Sequence, residues 1–120
     1  MGHWHAYTYT GVGKPPEGVA RDPMSPTPPI LVREWLRKPR AMMVGTFTEA
    51  GAALGWLAAE LEGAPPLPTS LPVETTLGYA RERLGTYPYD QVTRYWTPGG
   101  YVCRDLVWCD GTVGVCPDPR

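Results

Sequence analysis

The chain predicts an α+β domain: a mostly antiparallel sheet of about five to six strands, with two helices packed on one face. Three observations predict it. Apolar residues recur with the helical period over residues 50–61. Residues 3–10 alternate with the strand period, and the last third is punctuated by hairpin turns. Residues 1–120 are read as a single domain, long enough to bury one core.

His3, His5, Tyr7 and Tyr9 alternate with Trp4, Ala6, Thr8 and Thr10, the pattern of an aromatic-rich strand. Residues 11–29 form a Pro/Gly-rich loop with six prolines and three glycines. Prolines at this density remove amide donors and hold the chain near polyproline II. An ordered wrap over the domain is expected, pinned by Val19 and Met24. The segment Ile30–Leu36 admits two readings. Thr27 could cap a helix begun by Pro28 and Pro29, or β-branched Ile30 and Val32 could open a strand. The strand is preferred, turning through Arg37-Lys38-Pro39 into a second strand at 41–47.

Arg40 to Gly63 is where every local signal agrees. Met42, Met43, Val44 and Phe47 read as a short strand, and Thr48 as the N-cap of a helix over 48–62. Ala50, Ala53, Leu54, Leu57, Ala58 and Leu61 make its apolar stripe, and Gly63 with Pro65 and Pro66 stops it. The other side carries Gly51, Gly55 and Ala59, spaced by four. Each glycine costs roughly 1 kcal/mol against alanine inside a helix. Close approach of a second helix, or of a partner, is the expected compensation. Residues 63–70 are a Pro-rich linker. A second helix follows at 71–85, capped by Ser70, striped by Val73, Leu77, Ala80 and Leu84, and ended by Gly85. Strands at 89–97, 101–109 and 112–116 complete the sheet, with Pro98-Gly99-Gly100 and Asp110-Gly111 as turns. A turn on Gly99-Gly100 sets Arg94 opposite Asp105, whereas a three-residue loop sets Arg94 opposite Arg104.

A net charge of −1 argues against a dedicated nucleic-acid or membrane-surface binder. No run is long and apolar enough to span a bilayer. MGHWHAYTYT lacks the basic-then-apolar order of a secretory signal, and three cysteines then suit a reducing cytoplasm. There is no asparagine, and two lysines stand against nine arginines, a bias of GC-rich coding. The stretches HWHAYTYTG, DPMSPTPPILVREWL and VGTFTEAGAALGWL resemble short uncharacterised proteins of high-GC actinobacteria. That resemblance implies a neighbourhood and carries no activity with it.

Three constellations bear on chemistry. His3 and His5 share one strand face, and with Cys103 and Cys116 they could make a His/Cys site for Zn²⁺ or an activated thiol. No C-x₂-C or H-x₃-H spacing supports it, and free cysteines ordinarily pack as small apolar residues. Arg33, Arg37 and Arg40 cluster with Trp35, and Arg94 and Arg104 lie near Tyr95 and Trp96. Such forks beside aromatic rings suit anions or bases, while cross-strand pairs with Asp105 are the plainer account. Gly51, Gly55, Trp56, Ala59, Tyr95 and Tyr101 are the candidate interface, on the helix back and an exposed aromatic sheet face. No catalytic set is assembled and no cofactor is expected. The leading expectation is a non-enzymatic protein-interaction or regulatory module, self-associating or binding another protein. The alternatives are a small metal- or thiol-dependent enzyme and an anion or nucleic-acid binder using Arg33–Arg40.

Overall fold

Backbone pairing sets the architecture. In the computed structural model, which describes residues 2–118, four antiparallel strands form one sheet in the order β2-β1-β4-β3. In chain order the elements are β1 (His3–Gly11), a single helical turn α1 (Glu17–Ala20), β2 (Met43–Phe47) and α2 (Ala50–Gly63). They continue with α3 (Val73–Thr86), β3 (Gln91–Thr97) and β4 (Gly100–Cys109). The α+β class and the antiparallel sheet are as expected. Four strands stand where five to six were expected, and the two missing ones have distinct causes.

Ile30–Leu36 is not a strand. Val32–Arg37 winds into a 3-10 helix, and Arg40–Met42 makes a second short one. Apolar period decides it: Trp35 and Leu36 are buried together, which adjacent residues of a strand, pointing to opposite faces, could not do on one surface. Residues 112–116 do not pair either. Asp110 bonds the Thr112 amide at 2.9 Å, and the Cys116 amide reaches back to the Thr112 carbonyl at 2.9 Å. The chain therefore coils into a turn after Cys109 instead of returning as a hairpin. Gly111 (φ 84°) and Gly114 (φ 91°) supply the left-handed conformations that this turn needs.

Alternation along β1 and β4 then sorts the side chains. Trp4, Ala6 and Leu106 face α2 and α3, where Ala53, Leu57, Leu61, Ala80 and Leu84 close the core. Both helices begin without a side-chain cap: Glu49 and Pro72 occupy the N-cap positions, not Thr48 and Ser70, and α3 runs past Gly85 to Thr86. Val44 and Val92 are exposed and take no part in the helix-side core, against which Phe47 packs. The helices meet through Leu54, Leu57, Leu61, Val73, Leu77 and Ala80. Gly51, Gly55 and Ala59 instead face solvent, with nothing within 4 Å of where a Cβ would stand on either glycine. The expected close helix approach is not made there.

The opposite face was expected to be an exposed aromatic surface, and along β1 and β4 it is largely buried, with Val92 and Trp96 exposed on β3. Tyr7 and Tyr101 lie beneath the 3-10 helix and the proline-rich loop, and Tyr95 points the other way, its hydroxyl donating to the Ala64 carbonyl at 2.7 Å. The loop is pinned by Lys38, whose Nζ donates to the carbonyls of Asp22 and Ser25 at 3.0 and 2.8 Å, while Val19 and Met24 are exposed. Burial lowers the pKa of that ammonium. The β3–β4 turn is Pro98-Gly99, with Thr97 opposite Gly100, so Arg94 sits across from Cys103, two residues from the first expected register and one from the second.

Candidate metal centre

The sheet register builds the centre from residues far apart in sequence. β1 and β4 pair with His3 opposite Cys109 and His5 opposite Val107. Side chains two apart on a strand share a face, so His3, His5 and Cys109 emerge on the same side. The turn after β4 brings Cys116 back over them. Nε2 of His3 and Nε2 of His5 are 3.0 Å apart, and Sγ of Cys116 lies 3.3 Å from the second and 3.5 Å from the first. With Sγ of Cys109, all four donor atoms fall within 4.8 Å of one another.

The three separations among His3, His5 and Cys116 approach the edges of a tetrahedron. Zinc–nitrogen and zinc–sulfur bonds of ordinary length give edges of about 3.3 Å between nitrogens, about 3.6 Å between nitrogen and sulfur, and about 3.8 Å between sulfurs. The surroundings orient the donors as well. His5 Nδ1 lies 2.9 Å from Thr46 Oγ1 on β2. With Nδ1 donating to that hydroxyl, Nε2 presents its lone pair to the centre, the usual outer-shell arrangement of a metal-bound imidazole. The Gly111 amide donates to Cys109 Sγ at 3.4 Å, which suits a thiolate.

Burial acts in opposite senses on the two donor types. Desolvation, then the neighbouring His3, pulls the His5 pKa from 6.5 down to about 4, so His5 stays neutral. Burial pushes the Cys109 thiol up, so a metal bound there would have to displace its proton. Tyr7 packs in the same cluster. Its side chain is fully buried in the cluster that holds Cys109 and Cys116, stacked on Trp35 at 4.6 Å, and its hydroxyl has no hydrogen-bond partner among the described residues. Burial, then the charges of Cys109 and Cys116, raise its pKa.

The other predicted residues scatter. Cys103 lies six residues up β4, roughly 20 Å along an extended strand from Cys109, beside Arg94 and Asp105. Asp105 is fully buried. It accepts from Arg94 Nη2 at 2.8 Å, Trp35 Nε1 at 2.9 Å and the Thr93 amide at 3.2 Å. Burial would lower the Arg94 pKa, but the hydrogen bond and charge of Asp105 prevail and raise it. Arg104 projects from the other face, paired with Glu60 at 3.0 Å. Arg33 meets Asp90 at 3.2 Å and Arg40 meets Asp118 at 3.3 Å. Arg94 and Arg104 thus belong to separate structural pairs, and Trp35 is a core residue.

Cys109 is the donor that sequence reasoning passed over. Its signal lay in pairing: H-x-H on a strand that runs antiparallel to the strand ending in Cys109. No family model matches the chain, and no solved structure matches it. No helix among the described residues is long and apolar enough to cross a membrane.

Proposed function

We propose that this protein is a small zinc-binding, non-enzymatic module in which His3, His5, Cys109 and Cys116 hold one Zn²⁺. The observation that carries the reading is the convergence of four donor atoms of the right chemistry within 4.8 Å. Two imidazoles and two thiols are a soft-to-borderline set that favours zinc over calcium or magnesium. Four protein donors fill a tetrahedral zinc, leaving no position for water or substrate, which is the arrangement of structural sites. The metal would join β1, β4 and the turn 112–116, which the described hydrogen bonds tie only loosely.

Cys103, named with Cys116 at the outset, has no part in this set. The activated-thiol alternative is weakened by its surroundings, since burial, then Asp105, push the Cys103 thiol up and hold it protonated. The interaction-module expectation is compatible with a structural zinc, and its remaining support is the solvent-facing back of α2.

Elemental analysis of protein equilibrated with buffered zinc tests the reading. One zinc per chain is expected, with cobalt substitution giving tetrahedral visible bands and thiolate charge-transfer absorption. Cys103→Ser should keep both signatures, whereas Cys109→Ser and Cys116→Ser should lose stoichiometric metal. At free zinc 100 times the dissociation constant the metal adds about 2.7 kcal/mol of stability. Protein that takes up no zinc, with its thiols shown to be reduced, refutes the proposal.

A further inference from the structure

We infer that the metal centre is a redox switch, in which hydroperoxide oxidation joins Cys109 to Cys116 as a disulfide and expels the zinc. The inference rests on the zinc-binding reading and concerns how that same site is regulated. It is carried by the placing of the three cysteines. Cys109 and Cys116 are the two sulfurs of the cluster, and Cys103 is held apart beside Arg94 and Asp105. The pairing is therefore decided by position, although the chain has an odd number of thiols.

The two sulfurs differ in what holds them. Cys109 ends a ten-residue strand paired on both sides. Cys116 sits on a turn whose residues Thr112–Val115 are all exposed, with left-handed glycines at 111 and 114. The two sulfurs lie within 4.8 Å of each other, and a turn of this kind can move its cysteine over the remaining gap, under about 3 Å, to a bond of about 2.05 Å. Cys116 also forms part of the wall of an open cleft of about 800 Å³, together with Leu36, Arg37 and Pro117. A small oxidant approaching from that cleft meets Cys116 first.

The chemistry balances without any further reactant. The Cys116 thiolate attacks one oxygen of the peroxide, breaking the O–O bond and becoming a sulfenic acid as hydroxide departs. The Cys109 thiolate then attacks the Cys116 sulfur, forming the S–S bond and releasing a second hydroxide. Two thiolates lose two electrons, the peroxide gains them, and two protons from the buffer turn the two hydroxides into water. Only His3 and His5 then remain as donors, a pair too few to retain zinc against solvent, so the ion leaves hydrated.

The test uses the zinc-loaded full chain treated with hydrogen peroxide, with a chromogenic chelator reporting zinc and non-reducing peptide mapping reporting the thiols. Release of one zinc equivalent in step with a Cys109–Cys116 disulfide is expected. A phosphine reductant with added zinc should restore the starting state. Cys103→Ser, which leaves the proposed ligands intact, should behave identically. A disulfide containing Cys103, sulfinate or sulfonate as the main product at Cys116, zinc lost without a disulfide, or zinc retained where a zinc–thiolate reference peptide is oxidised would each overturn the switch. Those outcomes leave zinc binding standing. A chain that holds no zinc before oxidant is added overturns the zinc reading itself, and the switch with it.

Discussion

On one face of the sheet Trp4, Ala6 and Leu106 lie under two helices. On the other, His5, Tyr7 and Asp105 lie under a 3-10 helix, a proline-rich loop and a returning turn. The first face is closed mainly by burial of apolar area, with the Arg104–Glu60 pair and the Tyr95 hydroxyl bond to Ala64 beside it, and Leu57, Leu61 and Ala80 need no partner beyond shape. The second buries ionisable groups, and its covering segments contribute specific polar contacts: Trp35 to Asp105, Lys38 to two loop carbonyls, Cys116 to the histidines. Regular helices cover by repetition. Irregular segments cover by individual bonds, so single substitutions should act unequally on the two faces.

The largest expected effect is at Asp105. Asp105→Ala removes the acceptor of Arg94, Trp35 and the Thr93 amide at once. It also leaves the Arg94 guanidinium, only 21% exposed, without its counter-charge. Breaking one partner of such a pair costs about 3–5 kcal/mol, read from the shift in urea midpoint. Asp105→Asn keeps the shape and one carbonyl acceptor and should lose less. A loss under about 1 kcal/mol for the alanine variant would mean that the polar face is held by apolar packing after all, like its opposite.

The same contrast explains what could be read from the sequence. α2, α3, β1 and the two strands of the final hairpin were legible because period and punctuation are local properties. Where tertiary contacts decided, reading failed: Val32–Arg37 took the 3-10 form that buries Trp35 beside Leu36, and Asp110-Gly111 opened a tight coil instead of a hairpin. The metal candidate was half legible. His3, His5 and Cys116 were named, but choosing Cys109 over Cys103 required the β1–β4 register, and strand periodicity is silent about register. The aromatic face was assigned to solvent because a segment without period gives no sign that it covers anything.

Cys103 sharpens the comparison through pH. Burial, then the charge of Asp105, raise its thiol pKa above the ordinary value of 9.0. The folded state therefore keeps a proton that the unfolded chain releases once pH passes about 9, so the folded form binds more protons and stability falls as pH rises. The contribution is fully present below that point, with a limiting slope of about 1.4 kcal/mol per pH unit for one group. Cys103→Val should flatten the alkaline limb of stability against pH by that one group. An unchanged limb would place the thiol in contact with water and remove Cys103 from the buried polar face.

The smallest effect is expected at Arg33, on the same face but at its rim. Arg33 Nη1 meets Asp90 at 3.2 Å with its side chain 55% exposed, so water and salt screen the pair. Asp90 does not depend on it, because the carboxylate also accepts from the Trp108 amide at 2.7 Å. Arg33→Ala should cost less than about 1 kcal/mol, and that little should vanish in molar salt. Arg94 and Arg33 thus carry the same fork to the same face, one against a fully buried aspartate and one at the solvent edge. If the two substitutions destabilised equally, burial would not be what separates them, and the division between a face held by polar bonds and its solvated rim would have to be redrawn.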